Sequence, residues 1–187
     1  AIKLAKVNTI EVIVTDHHEP KEELPEAVAI VNPKIGSTYP FTGLCGAGVI
    51  FKLVQALIAK GGFAIPAGLE KWWLDMVGVA TIADMVPLVD ENRVFATYGL
   101  KVLRKTRRPG LQKLLRKQKV DPRYLSEDDI GFTIGPRINA ASRMDTPEDA
   151  FSLLATTDEA EAETRMLHLE KLNTERKSAV AQMTKEL

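Results

Sequence analysis

The chain has 187 residues, 45% of them hydrophobic, with 25 basic and 25 acidic side chains and no net formal charge. That length buries one good core, or one core with a helical appendage, and the charge balance excludes a generic polyanion binder while leaving room for a local basic groove. The single Cys45 excludes a disulfide framework and fits a reducing compartment, so the expected location is cytoplasmic. No apolar run has membrane-spanning length or the form of a signal peptide.

Ala1 is not an initiator Met, and Ile2-Lys3-Leu4-Ala5-Lys6 reads as the last turns of an amphipathic helix, so a fragment or a chain with its beginning removed is expected. A strand over residues 11–15 follows; Val12-Ile13-Val14 is apolar and β-branched throughout, which predicts burial on both faces. A second strand, 27–31, closes at Asn32-Pro33. After a loop over 40–46, Gly46-Ala47-Gly48 opens a helix to Lys60, stopped by Gly61-Gly62. Residues 69–83 read as a helix ending near Asp84, and Asp90-Glu91-Asn92 as a turn. Helices over 93–104 and 111–117 are separated by Arg107-Arg108-Pro109-Gly110. Ser126, with Asp129 three residues on, marks a helix start in the manner of a capping box, broken at Gly135-Pro136. Thr146-Pro147-Glu148 marks another start, and a long, highly charged helix from Asp158 is expected to be exposed on most faces or to bridge to something absent.

Chemistry concentrates in a few places. Asp16-His17-His18 stands at the carboxyl end of the first strand, the edge at which open α/β sheets bind ligands, and its donors suit a divalent metal; solvated imidazoles at a polar strand end are the plain alternative. Asp84 is the one charge in Val77–Leu88, an apolar stretch in which a carboxylate is costly unless paired or bound to a cation; the alternative is a helix-terminal residue turned to solvent. Gly135–Arg143 offers Arg137, Asn139 and Arg143 among small residues, able to hold phosphate oxygens or to pair with Asp145, Glu148 or Asp149. Gly46-Ala47-Gly48 can cradle an anion but is read first as packing. The basic run Lys101–Lys119 lacks interleaved aromatics, which leaves phosphate contact and excludes base stacking there. Of the adjacent Trp72 and Trp73, one is expected in the core, and His168 on the surface.

Together, VIVTDHHEP (12–20), AIVNP (29–33), GAGVIFKL (46–53), GVATIADMVPL (78–88), GFTIGPRINAASRM (131–144) and NTERK (173–177) resemble the DHH phosphoesterase superfamily, and within it the RecJ family of single-strand-specific exonucleases. The resemblance covers nearly the whole chain in order. It implies a two-metal phosphodiesterase using Mn²⁺ or Mg²⁺ that removes nucleotides from the 5′ end of single-stranded DNA. His17 and Asp84 are then metal ligands, His18 and Asp16 catalytic residues facing the phosphate and orienting the cluster. Arg137, Asn139 and Arg143 are phosphate-binding groups. Ser142 stands where the family usually has Gly. Such chemistry relies on two cations that activate water and stabilise the attacking and leaving oxygens. DNA repair and recombination, with single-strand-binding protein and a helicase as partners, belong to the same expectation.

The expected fold is α/β: a partial parallel sheet with flanking helices, then a mostly helical region and a long connector helix. Residues 1–90 are assigned to the C-terminal part of the metal-binding domain, 91–157 to the helical part of the catalytic core and 158–187 to the start of the connector. The family's first metal-binding segment and bridging Asp are expected upstream of Ala1, and its substrate-binding domain and OB-fold beyond Leu187. The chain alone is therefore expected to hold half a metal site, to bind Mn²⁺ weakly and to be inactive. Activity on short oligonucleotides or cyclic dinucleotides, and a non-catalytic scaffold, are the alternatives.

Overall fold

Two short apolar segments pair in parallel and give the N-terminal half its reference edge. The computed structural model describes residues 1–36, 38–144 and 146–186, so Asp145 lies outside the described residues. Helix α1 (Ile2–Val7) leads to β1 (Ile13–Thr15), which pairs with β2 (Ala29–Val31) with Ile13 opposite Ala29 and Thr15 opposite Val31. The two form a two-stranded parallel sheet. Both strands are shorter than the sequence predicts, and β1 is not buried on both faces. Ile13 remains 62% exposed, because β2 is the only strand β1 meets among the described residues.

The chain divides into two compact units, Ala1–Gly99 and Leu100–Leu187. In the first, α2 (Gly46–Lys60) has the predicted limits; it stops where Gly61 takes φ +83°, a left-handed value that glycine adopts without strain. The predicted helix over 69–83 is split into a 3₁₀ turn (Leu69–Trp73) and α3 (Leu74–Ala83). Asp90-Glu91-Asn92 is no turn but the first turn of α4 (Asp90–Leu103), where two acids favour the helix N-terminus. Leu44, Val49, Phe51, Val77 and Phe95 form the core, with the Phe51 and Phe95 rings edge to face at 5.6 Å. Trp73 packs against this cluster and Trp72 is exposed, as two neighbours on one helix must diverge.

Glu91 fastens α4 to the loop before α2 and to α2 itself. The Tyr39 hydroxyl donates to its Oε2 at 2.6 Å and Lys52 Nζ meets its Oε1 at 2.8 Å. Burial together with this carboxylate raises the Tyr39 pKa, and the same carboxylate raises that of Lys52. Gly78 and Gly99 leave each other no room for a side chain. A Cβ on Gly78 would lie 2.7 Å from the Gly99 Cα, and one on Gly99 would lie 2.5 Å from the Gly78 Cα and 2.8 Å from the Leu74 carbonyl.

The second unit is helical: α5 (Pro109–Lys117), α6 (Gly135–Arg143), α7 (Pro147–Ala155) and α8 (Glu159–Glu186), with α6 and α5 packed on α8 and α7. Its core includes Leu111, Leu114, Leu125, Ile130, Ile134, Leu153 and Leu169. The expected break at Gly135-Pro136 does not occur. A π-helical stretch (Asp129–Ile134) runs straight into α6, its wider turns accommodating a proline that an α-helix interior would not. Asp129 does reach back to the Ser126 N–H, at 2.9 Å, as the capping-box reading requires. The Thr146 hydroxyl instead turns away from α7 and donates to the Ala141 carbonyl, so Thr146 holds the cap position without a capping bond, while Pro147 and the acid Glu148 stand in the first turn as predicted. Helix α8 is capped by Asp158, whose Oδ1 accepts from the Glu161 N–H at 2.6 Å. It buries Ala162, Met166, Leu169 and Leu172, a three-to-four spacing, so its first half is packed rather than exposed on most faces; residues 177–185 are solvent-facing.

Gly99→Ala is expected to destabilise the fold by about 1–3 kcal/mol through overpacking, read as a fall in Tm on thermal unfolding. Gly131→Ala serves as the contrast, because nothing lies within 4 Å of its Cβ position and no loss of Tm is expected there.

Candidate functional site

The sheet ends at Thr15 and Val31, and the Asp16 N–H closes that edge by donating to the Val31 carbonyl at 3.1 Å. Past it the chain turns sharply around one carboxylate oxygen. Asp16 Oδ1 accepts from the His17 N–H at 2.8 Å and the His18 N–H at 3.2 Å, and lies 2.7 Å from His18 Nδ1. The His18 side chain, then the two backbone N–H groups, hold the Asp16 pKa down to about 2. The contribution of the ionised carboxylate is therefore present above the usual value of 3.8 and lost as pH falls through about 2. An ionised Asp16 also fixes the His18 proton on Nδ1 and leaves Nε2 outward on a ring that is 76% exposed.

The His17 ring packs beside His18, centroids 4.3 Å apart, and against the first residue of α2, with its Cδ2 3.5 Å from the Cβ position of Gly46. Gly46 and Gly48 meet only ordinary van der Waals distances at their Cβ positions, so neither is forced by contact. Helix α3 brings Asp84 to the same place: Asp84 is its C-terminal cap, and its Oδ2 lies 3.7 Å from His17 Nδ1. Two residues distant in sequence thus face one another. Asp84 is not enclosed by the apolar stretch that contains it; its side chain is 46% exposed because it closes the helix. The following residue, Met85, has φ +57° and donates its N–H to the Ile82 carbonyl at 3.1 Å, reversing the chain immediately. Cys45 Sγ and Thr81 Oγ1, 3.5 Å apart and buried, tie the start of α2 to α3.

At 3.7 Å the His17–Asp84 pair is beyond hydrogen-bond reach, and one imidazole nitrogen with one carboxylate oxygen is a donor set suited to Mn²⁺. The residues present fit a divalent cation as two ligands of one ion. Among the described residues no group of three or more His, Cys, Asp or Glu converges to hold a metal.

Helical geometry divides the phosphate candidates. Asn139 and Arg143, four residues apart, share one exposed face of α6. Arg137 lies on another face, its side chain 11% exposed, with Nε and Nη2 donating to the two Glu170 carboxylate oxygens at 2.7 and 3.2 Å and Nη1 to the Thr133 carbonyl. Glu170, not Glu148 or Asp149, is the partner; Asp149 pairs with His168, at 3.0 Å, on the surface. In the basic run, Arg104 donates to the Leu125 carbonyl and Lys113 meets Glu159 and Glu163, so part of that charge is engaged internally.

Sequence reasoning missed two amides. Asn92, fully buried, donates to the Gly43 and Pro87 carbonyls at 2.7 and 3.0 Å, tying the segment before α2 to the one after Asp84. Asn32 does comparable work beside His18. For Asn32 the available signal was a polar amide at the end of an apolar segment.

Residues 1–81 match the DHH family, N-terminal domain. Beyond it, the chain is 45% identical over 185 residues to the single-stranded-DNA-specific exonuclease RecJ of Bacillus subtilis (strain 168), covering 98% of this chain and 22% of that protein. It superposes on the crystal structure of RecJ in complex with Mn²⁺ from Thermus thermophilus with a TM-score of 0.86 at 34% identity, covering 99% of this chain and 28% of that one. For an exonuclease RecJ bound to manganese the TM-score is 0.87 at 34% identity, with 100% and 46% covered. The chain thus spans less than half the length of these relatives. No described helix is long and apolar enough to cross a membrane.

Two measurements test this geometry. Long-range ¹H–¹⁵N spectra at alkaline pH are expected to show His18 protonated on Nδ1 and to lose that preference in Asp16→Asn; a dominant Nε2–H form in the unsubstituted protein contradicts the assignment. Arg137→Ala is expected to lower Tm, since it removes both guanidinium hydrogen bonds and leaves the partly buried Glu170 carboxylate with only the Gln118 amide, whereas Asn139→Ala and Arg143→Ala leave Tm nearly unchanged.

Proposed function

We propose that this chain is part of the catalytic core of a RecJ-type exonuclease that removes nucleotides from the 5′ end of single-stranded DNA, with Mn²⁺ or Mg²⁺ as cofactor. The observation that carries the reading is the approach of His17 Nδ1 to Asp84 Oδ2, 3.7 Å, at the carboxyl end of a parallel sheet. The similarity to RecJ proteins along the whole chain supports it.

In this reading His17 and Asp84 hold one cation. A bound pair of such ions supplies an activated water and stabilises charge on the attacking and leaving oxygens. Asp16 keeps the His18 proton on Nδ1, so Nε2 faces the scissile phosphate as the proton-handling group. Asn139 and Arg143 contact phosphate from the exposed face of α6. Arg137 joins them only by exchanging Glu170 for phosphate, since its fork fits either anion. Phosphate contacts position a strand without reading its bases, which suits digestion with little sequence preference.

Residues 1–90 are read as the C-terminal part of the metal-binding domain, 91–157 as the helical part of the core and 158–187 as the start of a connector. The setting is cytoplasmic DNA repair and recombination, with single-strand-binding protein and a helicase as partners. The chain by itself is inactive in this reading, the remaining ligands lying in the complete protein.

The complete protein is expected to degrade long single-stranded DNA when Mn²⁺ or Mg²⁺ is present, to stop on chelation, and to lose roughly 100-fold or more of its rate in His17→Ala or Asp84→Asn, at or beyond the upper end of what outer-shell losses cause. Preference for dinucleotides over long strands moves the reading to a short-oligonucleotide phosphodiesterase. Retained activity in both variants overturns it.

A further inference from the structure

The turn that carries the two imidazoles is gripped from both sides, and only one grip comes from its own sequence. Asp16 takes the N–H groups of His17 and His18. The carbonyl side is held by Asn32, the first residue after β2: its Nδ2 donates to the His18 carbonyl at 2.9 Å, and its Oδ1 accepts from the Lys34 N–H at 2.9 Å. These partners fix the amide's orientation, because a carbonyl can meet only the nitrogen and an N–H only the oxygen. Asn32 is 9% exposed and sits one residue beyond Val31, whose carbonyl receives the Asp16 N–H. Lys34 Nζ adds an ion pair to Glu19 Oε1 at 2.8 Å. The segment 16–19 is thus strapped to 31–34 at three levels.

The geometry points to Asn32 as a positioning residue for the metal site, on the reading of His17 and Asp84 given above. The His18 carbonyl belongs to the peptide unit that follows His18; without its partner that unit is free to rotate, and its rotation is passed through the His18 backbone to the unit that joins His18 to His17. Rotation moves the His17 ring relative to Asp84, which belongs to a different element and does not follow. The requirement is for an amide: an ionised Asp keeps the acceptor for Lys34 but sets an anion against the His18 carbonyl, and Ala leaves both groups unmet. The Lys34–Glu19 pair is peripheral, since Glu19 is exposed and its ion pair is screened.

The test uses the complete protein with Asn32→Asp, Asn32→Ala and, as control, Lys34→Ala. Free Mn²⁺ is counted by electron paramagnetic resonance without DNA, amide exchange of residues 16–18 is followed in metal-free protein, and kcat and KM are measured on single-stranded DNA. Both Asn32 variants are expected to raise the Mn²⁺ dissociation constant by about 10-fold or more, to speed exchange at 16–18 and to lower kcat, with KM for DNA within about twofold; Lys34→Ala matches the unsubstituted protein. Unchanged Mn²⁺ binding and exchange in Asn32→Asp overturn the proposal. So does failure of both Asn32 variants to fold, which makes Asn32 a general structural residue. If the unsubstituted protein shows no metal-dependent degradation, the reading of function falls first; if it is active and only the Asn32 variants are normal, the positioning role alone falls.

Discussion

The parallel register of β1 and β2 is the constraint on which the rest of the candidate site depends. Because both strands finish at the same level, the two segments leaving them emerge side by side, and the polar groups after Thr15 and Val31 can meet. The hydrogen bond from Asp16 to Val31 extends the pairing one step past the sheet and delivers the chain into a turn organised on a single carboxylate oxygen. A slip of one residue would reverse which side chains face each side of the sheet, and the imidazoles would leave the side on which Asp84 arrives.

Asp84 arrives by helix packing. It closes α3, and α3 is fixed by buried contacts earlier along the helix: Val77 in the apolar cluster, Thr81 against Cys45, and Gly78 against Gly99 with backbones nearly touching. The position of a half-exposed carboxylate is thus set by buried residues up to two turns earlier. This explains how a solvent-facing acid can be held close to His17 without a hydrogen bond to it. Interior packing transmits position because close-packed side chains leave little freedom to adjust.

The residues at the sheet edge were legible in the sequence because their signal is local: an apolar β-branched run ended by Asp16-His17-His18 names a strand and its ligand-bearing end. The limits of α2 were legible for the same reason, the glycines at each end marking them. What the sequence hid was context. Ile13 reads as buried because its neighbours are apolar, yet burial depends on what covers the sheet. Gly135-Pro136 reads as a break because the rule concerns α-helices, and a π-helical stretch precedes it. Arg137 reads as a companion of Asn139 and Arg143; on a helix it points elsewhere and pairs with Glu170, a residue on another helix. Nothing near Asn92 marks it as the link between two distant segments.

Met85 carries a consequence for how rigid the end of α3 must be. A left-handed residue with a side chain costs about 1–2 kcal/mol relative to an ordinary conformation, a cost glycine at that position would escape. Glycine would, however, enlarge the set of backbone shapes open to the chain at the point where the carboxylate hangs. With methionine there, the reversal has few alternative conformers, which restricts the backbone from which the acid hangs even though half of its side chain faces water. The protein thus accepts local backbone strain next to its candidate ligand in return for directional fidelity, a bargain that a search for stabilising glycine substitutions at this turn would undo.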